Sequence, residues 1–338
     1  MPDPILWWGM NAGRNDGQRA GLFRELARLT GAGIPISQAA KVLQRGRGAQ
    51  AAATVAGLER GLTAGKSIAG ALESSLNPME WAVVQAAEQS GKLADGFAWL
   101  EQYYELRQKT VDRIRAAMLY PVFMLHAAVV LPALVGAVLR GGYGVEIVKS
   151  VALALVLLWG GLALLWLAGT VWARMARTSL PADRLMGWLP VAGPARAALG
   201  LARWFTVMHF QITGGQRMSS GLQRAGAASW QAGLDAASQR AAIAVEGGAT
   251  FGEALAAQAA FPFELVSNLT SAEFTGTLDV ETLRLTRESM ATAAAKSEHA
   301  AKLISAGFYG LVMLFTALQI LKIAGAYAGL YSNFMDQL

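Results

Sequence analysis

The sequence of 338 residues is 54% hydrophobic and only 15% charged, with a formal net charge of +6 and no cysteine. A soluble domain usually carries about 25% charged residues, so part of this protein is predicted not to face water. The absence of cysteine excludes disulfides, thiolate metal sites and a cysteine nucleophile. His126, His209 and His299 are too far apart in the chain to give a metal-ligand spacing. The modest, dispersed positive charge suits a membrane surface, and nothing in it predicts nucleic-acid binding.

The chain is predicted to begin with a short N-terminal segment, 1–18, and to continue as a helical bundle, 19–115. Apolar residues at helical spacing predict the first helix of this bundle: Leu22, Phe23, Leu26 and Leu29. That helix is expected to end near Gly33, because Pro35 removes a backbone donor and prevents its continuation.

Five further helices are predicted in the same bundle, including segments 49–62, 67–74 and 78–89. Ser90-Gly91 is expected to end the last of these segments, since glycine readily adopts the left-handed conformation that closes a helix. A sixth helix is predicted from Leu93 onward, running directly into the membrane.

The stretch GLTAGKS at 61–67 raises the question of nucleotide binding. A phosphate-binding loop has four residues between its first glycine and the Gly-Lys pair, and it follows a strand. Here only three residues separate Gly61 from Gly65, and an alanine-rich helical segment precedes them. We therefore predict a helix start capped by Ser67 and no nucleotide site.

Three long apolar stretches predict transmembrane helices, because a bilayer core requires about 20 apolar residues in a helix. They define the spans 116–139, 150–173 and 303–324. The first two are uncharged, whereas the third is uncharged to Leu321 and includes Lys322 near its end, where a lysine can reach the interface. The remaining segments are a periplasmic loop at 140–149, a second helical bundle at 174–302 and a periplasmic tail at 325–338.

Basic residues flank the spans asymmetrically, which predicts the orientation in the membrane. They precede the first span, follow the second and precede the third: Arg107, Lys109, Arg113 and Arg115; Arg174, Arg177 and Arg184; Lys296 and Lys302. Both bundles and the N-terminus are therefore expected in the cytoplasm, and the C-terminus in the periplasm.

The spans contain neither Asp nor Glu, and His126 is the ionisable side chain well inside one. An ion-driven transporter normally needs such a group at membrane depth. A neutral histidine bonded to a neighbouring helix is favoured over a proton relay. A transporter or channel component remains the alternative function.

The two predicted bundles share a set of short motifs, which indicates an internal repeat. The pairs are LTGAGIPIS at 29–37 with ITGGQRMS at 212–219, GKSIAGAL at 65–72 with GATFGEAL at 248–255, and EQSGKL at 88–93 with EFTGTL at 273–278. Lys66 is replaced by Ala249 in the second copy, whereas Ser67 and Thr250 both suit a helix N-cap.

These motifs, followed by a long helix that reaches Tyr120-Pro121 at the membrane, resemble the type II secretion system F family. The resemblance covers about 22–322. Its motif positions are Gly33, Pro35, Gly65, Glu88, Gly91, Tyr120 and Pro121 in the first copy, and Gly248, Glu273 and Gly276 in the second. They are interpreted as structural or partner-contact residues, not as a catalytic site.

The resemblance implies an all-α membrane protein with two homologous six-helix cytoplasmic bundles and three transmembrane helices. It implies an inner-membrane platform protein, not an enzyme and without a cofactor, that couples a hexameric assembly ATPase to type IV pilus biogenesis or type II secretion. Its expected partners are that ATPase, pilins or pseudopilins, other inner-membrane assembly proteins, lipid and further copies of itself.

Two features of the second copy depart from the family pattern. Its segment Gln216-Arg217-Met218 is interpreted as one residue shorter than the corresponding segment 33–36 of the first copy. Its third span lacks an equivalent of Tyr120-Pro121, and Phe308-Tyr309-Gly310 is found nearby instead. They suggest a divergent member from the type IVb or conjugative pilus branch.

Several residue roles stay open between two interpretations. Glu88 and Glu273 are expected to bond backbone donors or an arginine in their own bundle, the alternative being contact with the ATPase or another platform subunit. Tyr120-Pro121 marks a bend, fixed or hinged. Four arginines are expected on a solvated face, with an acidic ATPase surface as the alternative partner: Arg14, Arg19, Arg45 and Arg47.

Overall fold

The computed structural model describes residues 12–43, 49–139, 145–190 and 192–335. Regular secondary structure in these residues is entirely helical, and three of the helices are long and apolar enough to cross a membrane. The predicted class of all-α membrane protein is therefore confirmed. Arg45, Arg47, the side chain of Arg14 and residues 140–144 of the predicted loop 140–149 lie outside the described residues, whereas 145–149 are helical.

The helices follow one another with short connections. In chain order they are α1 Ala12–Gly31, α2 Ile36–Leu43, α3 Ala49–Thr63, α4 Ile68–Leu72, α5 Pro78–Gln89, α6 Leu93–Leu139, α7 Val145–Thr178, α8 Leu180–Gly187, α9 Ala192–Thr213, α10 Met218–Ser229, α11 Ala232–Glu246, α12 Phe251–Ala256, α13 Phe263–Thr275 and α14 Leu278–Met335. The first helix begins at Ala12, earlier than the predicted bundle, and the last continues to Met335, past the predicted end of the third span.

Helices α1–α6 and α9–α14 correspond one to one, and we call them the first and second helix sets. The glycines with positive φ fall into three matched pairs at equivalent turns: Gly33 with Gly215, Gly65 with Gly248, and Gly91 with Gly276. At each turn the residue after the glycine donates its N–H to the carbonyl five positions back. This bond defines the Schellman motif, so each pair of turns ends its helix in the same way.

This pairing corrects the predicted one-residue shortening in the second set. Two residues separate Gly33, at φ 77°, from the next helix, which begins at Ile36. Two residues likewise separate Gly215, at φ 63°, from the helix that begins at Met218. The two turns are therefore equal in length. The sequence motifs at 29–37 and 212–219 align Gly31 with Gly214. The left-handed backbone conformation instead makes Gly33 equivalent to Gly215.

The chain divides into two compact units. One comprises Met1–Val111 and Val171–Glu298, and the other comprises Asp112–Thr170 and His299–Leu338. Both helix sets thus belong largely to the first unit, where α5 packs against α9 and α10. The second unit contains the apolar parts of α6, α7 and α14.

The face of α5 that joins the two sets is apolar. Met79, Val83 and Ala86 follow the same helical stripe as Ser90, and all three are fully buried. Alignment of Gly91 with Gly276 shows that the equivalent positions of α13 are polar and exposed: Glu264, Asn268 and Ser271. The apolar face of α5 is therefore not repeated on α13.

The second unit is held together by contacts between the apolar helices. Ile114 and Met118 of α6 are buried against Ala301 of α14, with Ile304 and Phe308 packed beside them. The uncharged surfaces facing outward on these helices are apolar and exposed, notably on α7, where a window of mean hydropathy 2.4 is 0% buried. A surface of this kind is typical of contact with lipid or with another apolar surface.

Candidate functional site

Glu88 and Glu273 stand at the two equivalent turns before the long helices. The carboxylate of Glu88 accepts hydrogen bonds from the backbone N–H groups of Ile68 (2.7 Å) and Ala69 (3.0 Å). Glu273 accepts the same two bonds from Phe251 (2.7 Å) and Gly252 (2.8 Å). Of the two interpretations, the structure thus contains the bond to backbone donors in the same helix set.

These donors are the first N–H groups of α4 and α12, which have no partner within their own helices. A carboxylate at a helix N-terminus is also favoured by the helix dipole. Each glutamate therefore ties the start of a short helix to the turn from which α6 or α14 begins. We call these two arrangements the glutamate turns.

The remaining donors of the short helices are capped by hydroxyl side chains, as predicted. Ser67 accepts from the N–H of Gly70 at 3.1 Å. Thr250 accepts from Glu253, whose carboxylate accepts in return from the Thr250 N–H, completing a capping box. That backbone bond, followed by the bond to the Thr250 side chain, lowers the pKa of Glu253.

The GLTAGKS stretch forms the end of α3, a turn and the start of α4. Gly65 has φ 75° in that turn, and the hydroxyl of Ser67 is engaged as the cap of α4. In a phosphate-binding loop this hydroxyl would hold magnesium and a strand would precede the loop. Here the preceding element is helix α3.

The two helix sets meet at the turn that contains Gly91. Arg224 of α10 donates to the side-chain oxygen of Gln89 at 3.1 Å. A Cβ atom at Gly214 would lie 3.2 Å from the backbone nitrogen of Ser90, so the two chain segments pass close together. The first glutamate turn is thus packed against the second helix set, whereas Phe274, the counterpart of Gln89, is 95% exposed.

A series of buried arginines and aromatic rings extends through the first unit, and we call it the arginine ladder. Arg203 lies 5.5 Å from the ring centroid of Tyr103 in the first set and 4.6 Å from that of Trp230 in the second. Arg177 at the end of α7 stacks on Trp230 at 4.6 Å, and Arg107 lies 5.7 Å from Tyr103. Such desolvated cation–π contacts contribute about 2 kcal/mol each.

The sequence did not reveal the arginine ladder, because its members are far apart in the chain and match no motif. Trp230 has φ 59°, a conformation that a bulky residue seldom adopts. Its carbonyl accepts from Arg196 at 3.0 Å, which helps to hold that conformation. The available sequence signal for this site was Trp230 itself, which occupies a helix end where glycine would be expected.

Arg19 is not on a solvated face, and that prediction was wrong. Its guanidinium forms an ion pair with Glu80, which is fully buried and also accepts from the Tyr104 hydroxyl at 2.5 Å. Glu80 completes a capping box with Asn77 at the start of α5. Burial, and then the Glu80 charge, raise the pKa of Tyr104 well above its usual value, so the phenol remains a donor.

His209 connects α9 to the start of α14. Its Nδ1 lies 3.2 Å from the carbonyl oxygen of Asp279 and 3.4 Å from the Thr282 hydroxyl. Burial, and then the charge of Lys92, lower the pKa of His209 below its usual value, although Asp279 and Asp95 oppose the change. The imidazole is therefore neutral near pH 7, with the proton on Nδ1 to serve the carbonyl.

Tyr120 and Pro121 lie within α6, which continues through both residues to Leu139. Tyr120 stacks on Tyr309 of α14 with ring centroids 6.0 Å apart. The Phe308-Tyr309-Gly310 segment thus supplies the partner of Tyr120. Pro121 lacks an N–H, so one helical hydrogen bond is missing at this point of α6.

His126 bonds to a neighbouring helix. Trp159 of α7 donates its indole N–H to Nε2 of His126 at 3.3 Å, and Nδ1 lies 2.7 Å from the carbonyl oxygen of Val122. The indole can only donate, so Nε2 must accept, and Nδ1 carries the proton. In this arrangement both ring nitrogens of His126 have a partner, one in α7 and one within α6, as the predicted bond to a neighbouring helix requires.

No group of three or more His, Cys, Asp or Glu among the described residues is placed to hold a metal ion. The geometry of the described part contains helix caps, ion pairs and helix–helix contacts. These contacts fix the positions of helices relative to one another. The glutamate turns fix the short helices α4 and α12 to the points at which α6 and α14 begin.

The fold defines a multi-pass membrane protein whose longest helices extend from the first unit into apolar stretches. Residues 22–139 match the family model described as type II secretion system (T2SS), protein F. This segment comprises most of the first helix set together with the first span. The resemblance to the type II secretion system F family inferred from the motifs is therefore confirmed for this part of the chain.

The comparison with curated proteins gives a related result. Over 122 residues the chain is 33% identical to the type 4 fimbrial assembly protein PilC of Pseudomonas putida. The matched part is 35% of this chain and 30% of the relative, so it spans less than a third of that protein.

Proposed function

We propose that this chain is an inner-membrane platform protein that couples a cytoplasmic hexameric ATPase to the assembly of pilin or pseudopilin subunits. The observation that carries the proposal is the family match at 22–139, in a chain with three helices able to span a membrane. The name of the relative, a type 4 fimbrial assembly protein, agrees with this role.

The orientation follows from the basic residues that flank the spans. Both helix sets would be cytoplasmic, where an ATPase is present, and the C-terminus would be periplasmic. Arg113, Arg115 and Arg174 lie at the ends of the apolar stretches, on the side predicted to be cytoplasmic. The two sets of six helices would together provide the surface on which the ATPase docks.

The glutamate turns suggest how displacement would reach the membrane. Glu88 ties α4 to the turn that begins α6, and Glu273 ties α12 to the turn that begins α14. α6 continues to Leu139 and α14 to Met335 without interruption. A force applied to the short helices would thus act on the starts of two helices that enter the bilayer. The role of the protein is mechanical, and no catalytic step is assigned to it.

The test is to identify the partners in native membranes. The chain would carry an N-terminal affinity tag and replace the chromosomal copy, and membranes would be crosslinked and solubilised in mild detergent. We expect mass spectrometry to identify a secretion-type ATPase and pilin-like proteins. Their amounts should exceed those recovered with the control, a tagged three-span membrane protein of unrelated function. The identity of the pilins would distinguish a pilus from a secretion system.

Two further results would decide the outcome. Filament assembly, counted by electron microscopy, should persist in a Lys66→Ala variant, because Lys66 lies in a helix turn and not in a phosphate site. Recovery of neither the ATPase nor pilins, from cells that produce both, would contradict the proposal and favour the transporter alternative.

A further inference from the structure

Helix α8, Leu180–Gly187, lies between the second span and the second helix set and has no counterpart motif in the repeat. Its inner face is firmly attached. Asp183 forms an ion pair with Arg196 of α9 and accepts from the N–H of Gly233 in α11 at 2.7 Å. The position of α8 is therefore fixed by the helices behind it.

The outer face of α8 is apolar and uncovered. Leu180, Leu185 and Trp188 are 41%, 54% and 88% exposed, although each is large and hydrophobic. Pro181 and Arg184 are exposed on the same face, since positions spaced by four residues share one side of a helix. Exposure of a tryptophan and two leucines to water would be unfavourable, so this face needs a partner.

The packing of Met186 places this face beside the end of the second span. Met186 is buried in a cluster with Ala173 and Ala176 of α7. Ala173 is the last residue of the uncharged run 150–173, and Arg174 follows it. The C-terminal half of α8 thus lies level with the residues of α7 at which the apolar stretch gives way to charge.

That level corresponds to the bilayer interface. The headgroup region extends about 5–7 Å beyond the hydrocarbon core on each side, which is the rise of about four helical residues. Met175, 54% exposed on α7, continues the apolar surface toward α8. Tryptophan is enriched at this depth because its ring is apolar and its N–H can bond to headgroups.

We propose that α8 is an interfacial anchor that binds the cytoplasmic surface of an anionic bilayer. Leu185 and Trp188 insert at the boundary between headgroups and acyl chains, and Arg174 and Arg184 contact anionic headgroups. The charges exposed near this face are positive, while the acidic residue of α8, Asp183, points inward to Arg196. This combination of apolar and basic groups fits lipid and would place the second helix set at a defined height above the membrane.

The chain has no native cysteine, so single labels can be placed without other changes. A Leu185→Cys variant carrying the fluorophore NBD would be reconstituted into nanodiscs of phosphatidylethanolamine and phosphatidylglycerol. The matched control is Phe274→Cys, because Phe274 is 95% exposed. It precedes α14, whose residues 278–302 separate it from the third predicted span by about 37 Å of helix.

We expect lipids with a nitroxide near the headgroup to quench the probe at 185 several-fold more than the probe at 274. Aqueous iodide should show the opposite order. Equal quenching of the two probes by both reagents would overturn the proposal. Because nanodiscs contain no pilus protein, this outcome does not depend on the proposed function.

Substitution of the anchor residue itself gives a second test. Trp188→Ser in the labelled Leu185→Cys protein should markedly reduce quenching by nitroxide lipid, whereas Phe263→Ser, at an 84% exposed position of α13, should not. Replacement of phosphatidylglycerol by phosphatidylcholine should weaken the quenching of the probe at 185 by nitroxide lipid. The decrease should be smaller in an Arg184→Gln variant than in the parent protein. Quenching that is unchanged by Trp188→Ser would contradict insertion of this face.

Discussion

The guanidinium of Arg203 lies 5.5 Å from the ring centroid of Tyr103, and the two residues belong to different helix sets. Arg203 is 1% exposed and donates to the carbonyl of Ser229 at 2.7 Å, and its guanidinium also lies 4.6 Å from the ring centroid of Trp230. One buried cation therefore contacts both sets. The sets act as one body because separating them would expose this charge and the apolar face of α5.

We expect Arg203→Lys to destabilise the protein by about 1–3 kcal/mol, because a compact ammonium cannot replace the contacts of a planar guanidinium with both rings and with the Ser229 carbonyl. Thermal unfolding of the detergent-solubilised protein measures the loss. Arg287→Lys is the control, since Arg287 is exposed and the change should alter stability by less than about 0.5 kcal/mol. Equal effects of the two variants would show that stacking does not contribute.

Glu273→Gln should weaken the second glutamate turn. An amide has one acceptor oxygen, so one of the two backbone donors, Phe251 or Gly252, loses its partner. We expect a loss of about 1–3 kcal/mol of unfolding free energy. Glu88→Gln should have a similar effect in the first set, whereas the exposed Glu73→Gln should not. A Glu273→Gln melting curve that matches the parent would remove the structural role from this residue.

Gly91→Ala should cost about 1–2 kcal/mol, because φ is +71° at Gly91 and a Cβ atom is unfavourable there. A matched control is Gly187→Ala, because neither glycine has an atom within 4 Å of an added Cβ and only Gly91 has positive φ. A valine at Gly91 should cost more than alanine, since β-branched residues avoid this conformation. Comparable melting temperatures for the two alanine variants would argue against the left-handed turn.

A reciprocal exchange tests the contact between the helix sets. Val83→Asn places an amide in the fully buried face of α5 and should destabilise the protein by about 2–4 kcal/mol. The reverse change at the equivalent exposed position, Asn268→Val, should alter stability by less than about 0.5 kcal/mol. Limited proteolysis between α7 and α9 should accelerate only in the first variant. Equal sensitivity would mean that both faces are covered.

His209 predicts a pH dependence of stability. Its folded-state pKa is lowered, so the unfolded chain binds a proton more readily than the folded protein. The unfolding free energy should therefore fall as pH decreases through the usual histidine pKa of about 6.5, and level off below the folded-state pKa. The melting temperature of the parent should drop between pH of about 7.5 and 5.5 by more than that of His209→Asn, in which the amide replaces the Nδ1–H donor.

Exposed His299 supplies the comparison for this experiment. His299→Asn should retain the pH dependence of the parent, because it leaves the contacts of His209 unchanged. A pH dependence that is unchanged by His209→Asn would assign the effect to other groups.

Local sequence signals were sufficient for the helices of the first set. The starts of α5 at Pro78 and α6 at Leu93, and the caps at Ser67 and Thr250, agree with prediction, because turns and caps depend on residues within four positions of one another. The apolar spans were equally local, since length and lack of charge define them. Glu88 could be assigned to a turn, but its partners at Ile68 and Ala69 could not be deduced from its own segment.

The sequence by itself therefore determined the helices of the first set, the three apolar spans and the resemblance to the type II secretion system F family. Tertiary structure decided which surfaces those helices cover. The burial of Arg19 with Glu80, the arginine ladder and the outward face of α8 all join residues from distant segments. A side chain's burial depends on what packs against it, and no periodicity along one helix specifies whether its partner is another helix, a second helix set or lipid.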